Sequence, residues 1–140
     1  MKRVWIIISA MLLAGFAVQA APKSEVRQAV YTFVQSGDAQ NVGALDQVLH
    51  PEFRVVFQAK GSNDVSNMAR EQFLEMFRQK KFGGDQRSVK IRKIDVQGNL
   101  AVVRARFQGR QAVFENTLTL VRGSNGWQVI QDMAYVEFSG

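Results

Sequence analysis

The order of residue patterns predicts an α+β fold: a cone-shaped, curved antiparallel (mixed) sheet packed against three N-terminal helices. Three observations predict it. Apolar residues recur at helical spacing in three stretches that precede Arg87. Everything after Arg87 alternates with a period of two and is broken only by turn residues. That alternation slips once, from Val89 and Ile91 to Ile94 and Val96, as a β-bulge that bends a sheet would require. Helices first and consecutive strands afterwards put the helices on one face of the sheet. The open end of such a cone is a natural ligand pocket.

The elements can be justified in order. Lys2 and Arg3 precede an apolar run from Val4 to Val18, and "VQA" places small residues before Ala21. Those are the parts of a cleavable secretory signal peptide. A run of about 15 apolar residues falls short of the roughly 20 needed to span a bilayer. The expectation is therefore loss of residues 1–20, leaving one domain over 21–140 that is periplasmic or secreted and not membrane-spanning. There is no cysteine among the 140 residues, so a lipid anchor on sulfur and a disulfide framework are both excluded.

Ser24 is placed to cap a first helix whose buried side is Val26, Ala29, Val30, Phe33 and Val34. Gly37 suits the left-handed residue that ends a helix, and Asp38 is placed to cap a second one with the stripe Val42, Leu45, Val48 and Leu49. Pro51 stops that helix because proline disfavours helical geometry in the residue before it, here His50. "FRVVFQA" reads as a strand and "KGSND" as a loop. A third helix covers roughly Ala69 to Lys81, with Ala69, Phe73, Met76, Phe77 and the stem of Lys80 along one side. Gly83-Gly84 breaks it. Four strands follow, "SVKIRKIDV", "LAVVRARFQ", "QAVFENTLTLV" and "WQVIQDMAYVEF", separated by Gly98-Asn99, Gly109 and "GSNG".

The formal net charge is +6, from 18 Lys+Arg and 12 Asp+Glu. Without Lys2 and Arg3 the mature chain carries 16 against 12, a net +4. Residues 78–110 hold ten basic side chains against Asp85 and Asp95 alone. A local basic field attracts anions, but nucleic acid is not an expected partner of an exported chain. The plain reading is a solvated sheet face.

Several stretches together resemble the nuclear transport factor 2-like superfamily, and within it the small bacterial proteins labelled putative lumazine-binding and SnoaL-like. They are "SGD" at Ser36–Asp38, "LHPEFRVV", "REQFLEMF", "IDVQGNLAVVRARF" and "NTLTLVRGSNGWQVIQDM", in that order. The resemblance implies the cone fold, with a cystatin-like sheet, over nearly all of the mature chain. It implies little about activity, because one fold hosts isomerases, dehydratases, cyclases and binding or docking modules. The ketosteroid isomerases of this superfamily use a strand carboxylate as base. The corresponding position here falls near Phe57, and the helix tyrosine of that pattern is matched only one residue out of register by Tyr31. An isomerase of that type is disfavoured.

Other chemistries are constrained by composition. One histidine and no cysteine leave no cluster with metal-ligand spacing, and no metal or cofactor is expected. His50 reads as the elbow between a helix and a strand. Strand parity sets Asn116 with Phe114, Leu118 and Leu120, and Asp132 with Ile130, Ala134 and Val136. If those faces point inward, Asn116 and Asp132 are polar groups on a core-facing surface. They then bond each other, a backbone group or Tyr31, or they meet a ligand, with Asp132 the candidate acid–base residue. Trp127, Val129, Met133 and Tyr135 make the same strand apolar on its other side, which suggests a covered outer face. Trp127, Met133 and Tyr135, with Arg104 and Arg106 nearby, are the candidate dimer or docking face, and the two arginines are placed to pair with Glu115.

The expectation is a non-catalytic, exported pocket protein, a homodimer that binds a small apolar or aromatic molecule. Tyr31, Phe57, Phe77, Asn116 and Asp132 are the candidate lining. The alternatives are an isomerase, dehydratase or cyclase that uses Asp132, and a protein-docking module that uses the outer sheet.

Overall fold

A computed structural model describes residues 21–140; the expected signal peptide lies outside the described residues. Helix α1 covers residues 21–38, so Ser24 lies inside the helix and does not cap it. Its apolar side, with Val26, Val30 and Val34 at 0% exposure, is buried as the periodicity predicts. The helix ends on Gln40 and not on Gly37. Gln40 takes φ +55, its N–H bonds to the Gly37 carbonyl at 3.0 Å, and the Asn41 N–H bonds to the Ser36 carbonyl at 2.9 Å. That pair of reverse bonds satisfies the last carbonyls of a helix.

Asn41, not Asp38, caps helix α2 (Val42–Val48): its Oδ1 accepts from the Ala44 N–H at 3.1 Å. Strand β1 (Leu49–Ala59) begins at once. His50 stands at the join, its Nδ1 accepting from the Glu52 N–H at 3.0 Å, so the histidine is the elbow of that turn. A short edge strand that the patterns did not signal, β2 (Ser66–Ala69), pairs with β1. It leads into α3 (Arg70–Arg78), shorter than the periodicity predicts and buried through Phe73, Leu74 and Phe77. Lys80 is exposed just beyond it. It repeats the reverse closure of α1 with φ +59, so its stem covers no core.

Strands β3 (Ser88–Gln97), β4 (Leu100–Gln108), β5 (Ala112–Gly123) and β6 (Gly126–Phe138) then run as a meander. The sheet order is β2-β1-β6-β5-β4-β3. Among the described strands only β1 and β6 are parallel, so the sheet is mixed. The register of β3 shifts between Ile91 and Lys93, where the parity slip predicts a bulge.

A second shift, in β6 opposite Thr119 and Leu120, leaves Ile130 as the extra residue. It explains the two-sided last strand. Trp127 and Val129 face inward before the bulge, Asp132, Ala134 and Val136 face inward after it, and Met133 and Tyr135 face out. One inward face has been interrupted; two covered faces are not needed. Trp127 is therefore corrected from docking face to core. It is 7% exposed, and its Nε1 donates to Glu25 of α1 at 3.2 Å.

The three helices close over the inward face of this curved sheet. Rings from each layer meet there: Phe53 of β1 lies 5.1 Å from Phe73, and Phe73 lies 4.9 Å from Phe77 and 6.3 Å from Phe33. Such pairs add modestly to the area they bury.

Candidate functional site

Where the helices stop short of the strand ends, a cavity of about 250 Å³ remains. Aromatic and aliphatic side chains make most of its wall: Phe33 from α1, Phe73 and Phe77 from α3, Phe57 from β1, Phe114 from β5, and Ala134 and Val136 from β6. Alternation explains the sheet side of the wall, because Phe57 pairs with Ala134 and Phe114 pairs with Val136, all on one face.

Two polar side chains interrupt this surface. Asn116 of β5 and Asp132 of β6 are each 5% exposed. Asn116 Nδ2 donates to Asp132 Oδ1 at 2.6 Å, while Asn116 Oδ1 is buried without a partner among the described residues. Burial pushes the Asp132 carboxyl up to about 6, against the lowering effects of the Asn116 hydrogen bond and of the Arg87 charge. Asp132 can thus hold or release a proton near neutral pH.

Arg87 and Asp38 form the other polar corner. Arg87 Nε lies 2.6 Å from Asp38 Oδ1, and the Arg87 main-chain N–H donates to Asp38 Oδ2 at 2.9 Å. The guanidinium also sits 5.5 Å from the centre of the Phe107 ring and 5.0 Å from that of Phe114. Asp38 is the last residue of α1, three positions before the α2 cap at Asn41, and its side chain is engaged here. Asp85 completes the corner, accepting from the N–H groups of Gln86 at 2.8 Å and Gln111 at 3.1 Å. Those backbone bonds hold its carboxyl below the usual value. Among the described residues no group of His, Asp and Glu has the makings of a metal site.

The family described as "Putative lumazine-binding" matches residues 21–134. This chain belongs to that family. Among the solved structures it resembles are several described as nuclear transport factor 2-like. A protein of unknown function from Silicibacter pomeroyi DSS-3 aligns with a TM-score of 0.74 at 16% identity, over 84% of this chain and 98% of that one. A second, from Shewanella baltica OS155, gives 0.71 at 12% identity, over 85% and 94%. A protein with a cystatin-like fold from Novosphingobium aromaticivorans gives 0.65 at 15%, over 89% and 87%. At these identities the likeness is one of fold. No curated protein matches the chain.

On this lumazine-binding-family fold, four of the five residues singled out as lining, Phe57, Phe77, Asn116 and Asp132, come together at the cavity. Tyr31 does not. It is partly exposed on α1, while Phe33 and Gly37 of that helix face the cavity instead. Tyr31 stands two residues from Phe33, a rotation of about 200° around the helix, which carries its ring to the other side. Arg104 and Arg106 lie on the outer sheet surface with exposed Met133 and Tyr135, and Arg106 Nε is 3.7 Å from Glu115. Sequence reasoning missed the Arg87–Asp38 pair altogether. Its only sequence signal was an arginine opening a strand, and its partner lies 49 positions away.

Proposed function

We propose that this protein is an exported, non-catalytic binding protein that holds a small, largely apolar or aromatic molecule in its cone. The observation that carries this reading is the cavity of about 250 Å³ lined mainly by apolar side chains, phenylalanine rings prominent among them, with Asn116 and Asp132 as its most deeply buried polar groups. A concave, apolar wall with a few convergent polar groups is the usual form of a small-molecule site. The family description points the same way. Export is supported by the basic start, apolar run and small-residue site of residues 1–20. Among the described residues no helix is long and apolar enough to cross a membrane. A homodimer formed through the outer sheet face is supported by Leu100, Met133 and Tyr135, which are 53%, 53% and 46% exposed.

A proton-transfer role has one observation behind it, the raised Asp132 carboxyl. Its hydrogen-bond partner is a neutral amide, and a single titrating group makes an incomplete acid–base pair. Binding is the better-supported reading.

Native mass spectrometry of the protein purified gently from the periplasm or medium tests it. The expected result is a mass above the polypeptide that is lost on denaturation. A chain that emerges empty, and that also binds none of a panel of small aromatic molecules, would overturn the reading. Recovery of the protein in the cytoplasm with residues 1–20 intact would overturn export.

A further inference from the structure

The polar groups of the cavity differ in how fully they are matched. Arg87 has its charge met by Asp38 at 2.6 Å. Asp85 is satisfied by backbone N–H groups. Asn116 and Asp132 are not matched in this way. Asn116 commits its N–H to Asp132, and its own Oδ1 is left buried and unpaired. Asp132 has no cation in contact among the described residues, and Arg87 acts on it only through its field.

An ionised carboxylate accepts hydrogen bonds and cannot donate them, and an amide oxygen is likewise an acceptor. A buried acceptor left without a donor is unfavourable, because it has lost its water and gained nothing in exchange. What this part of the cavity lacks, therefore, is donors. We infer, on the basis of the binding reading above, that the pocket selects molecules whose polar head donates hydrogen bonds, namely protonated amines on an aromatic or apolar body, over carboxylic acids of the same shape. The ammonium group would meet Asp132, with the rings of Phe57 and Phe114 beside it on the same inward face. Ring faces attract cations. Arg87 does not reverse this preference, because its charge is already met by Asp38.

The charged groups that face Asp132 across the cavity are Asp38 at the end of α1, Lys81 after α3, and Asp85 and Arg87 before β3. Each of these carboxylates accepts two hydrogen bonds, Asp38 from Arg87 and Asp85 from Gln86 and Gln111, whereas Asp132 accepts one, from Asn116. The amine needs Asp132 ionised, so its affinity falls as the pH drops from 7.5 to 5.

The experiment uses three probes with one bicyclic body: 2-naphthylmethylamine, 2-naphthoate and uncharged 2-methylnaphthalene. Their affinities for the mature protein and for Asp132→Asn are measured by calorimetry at pH 7.5 and pH 5, with thermal melts to confirm folding. A hydrogen bond to a charged group is worth enough for a preference of about tenfold or more for the amine over the acid at pH 7.5. That preference should shrink at pH 5 and disappear in Asp132→Asn. Equal or tighter binding of the acid would overturn the inference while leaving the pocket reading intact. So would an amine preference that survives Asp132→Asn. Binding of none of the three probes would also overturn the inference, while the pocket reading is decided separately by the native mass of the purified protein.

Discussion

Arg87 and Asp38 are joined twice, by the guanidinium Nε at 2.6 Å and by the main-chain N–H at 2.9 Å. The relationship fastens the end of α1 to the chain entering β3. Both side chains are largely buried, at 15% and 11% exposure. The same corner is braced by the Gly84 N–H on the Asp38 carbonyl at 2.9 Å. Gly83, with φ +84, lies so close to Gly37 that an added Cβ would stand 2.3 Å from the Gly37 oxygen. One wall of the cavity is thus a crossing of two chain segments held by an ion pair, a backbone bond and a glycine contact.

Removing one partner of that pair should be costly, since it leaves the other charge buried without compensation. Asp38→Ala is expected to destabilise the domain by about 3 kcal/mol, read from denaturant unfolding at pH 7.5. Asp38→Asn should cost less, because an amide oxygen still accepts from the Arg87 N–H groups. A loss below about 1 kcal/mol for the alanine variant would place the pair with ordinary solvated ion pairs and remove its bracing role.

The Asp132 carboxyl makes a pH-dependent prediction. Its value is raised from 3.8 to about 6, chiefly by burial. Between those two values the unfolded chain releases a proton that the folded protein keeps, so stability falls as the pH rises through that window. Above about 6 the full penalty remains, up to about 3 kcal/mol. Asp132→Asn keeps an acceptor for Asn116 and removes the charge. The variant should match the wild type near pH 4 and become progressively more stable than it toward pH 7.5. Unfolding midpoints at pH 4.5, 6 and 7.5 check this, and a difference that does not change with pH would show that the carboxyl is solvated.

Those two polar corners differ in how legible they were. Asn116 and Asp132 stand out from sequence because each breaks an otherwise apolar inward face, a signal local to one strand. The Arg87–Asp38 pair leaves no such mark, since it depends on which loop crosses which helix end. The bulge in β3 was visible because the parity of four apolar residues slips. The one in β6 was hidden, because Trp127 and Val129 before it and Met133 and Tyr135 after it are all apolar, and the strand therefore looked covered on both sides. Leu74 was missed for a related reason. At 0% exposure it belongs to the core of α3, yet it falls beside the narrow stripe that ran through Phe73 and Phe77. Gln40 and Lys80 adopt left-handed backbone where glycine was expected, which no pattern of side-chain polarity announces.

Lys80 offers a test of that last point. Its φ of +59 closes α3, a conformation that costs an L-residue roughly 1–2 kcal/mol and glycine almost nothing. The side chain is exposed, so little packing is lost on removing it. Lys80→Gly is expected to stabilise the domain by about 0.5–1 kcal/mol, less than the full strain because glycine also gains freedom in the unfolded chain. A loss of stability in thermal or denaturant melts would mean that the lysine stem or charge makes a contact at the end of the helix that outweighs its backbone strain.

The outer sheet face carries the final prediction, which tests the proposed homodimer. Met133 pairs in register with Thr117 of β5 and Val56 of β1, all on the face away from the helices. Leu100 and Val102 stand on the same side of β4, flanked by Arg104 and Arg106. Arg104 and Arg106 share the cross-strand rows of Met133 and Tyr135, and exposed apolar side chains interleaved with arginines on one sheet face have the composition of a protein interface. Met133→Asp places a charge in the middle of that surface, while its inward neighbours Asp132 and Ala134 keep their positions. The expected result is a shift from dimer to monomer in analytical ultracentrifugation, with the thermal melt of the monomeric domain retained. A wild-type protein that sediments as a monomer at every concentration would end the dimer proposal. So would a Met133→Asp variant that dimerises as strongly as the wild type.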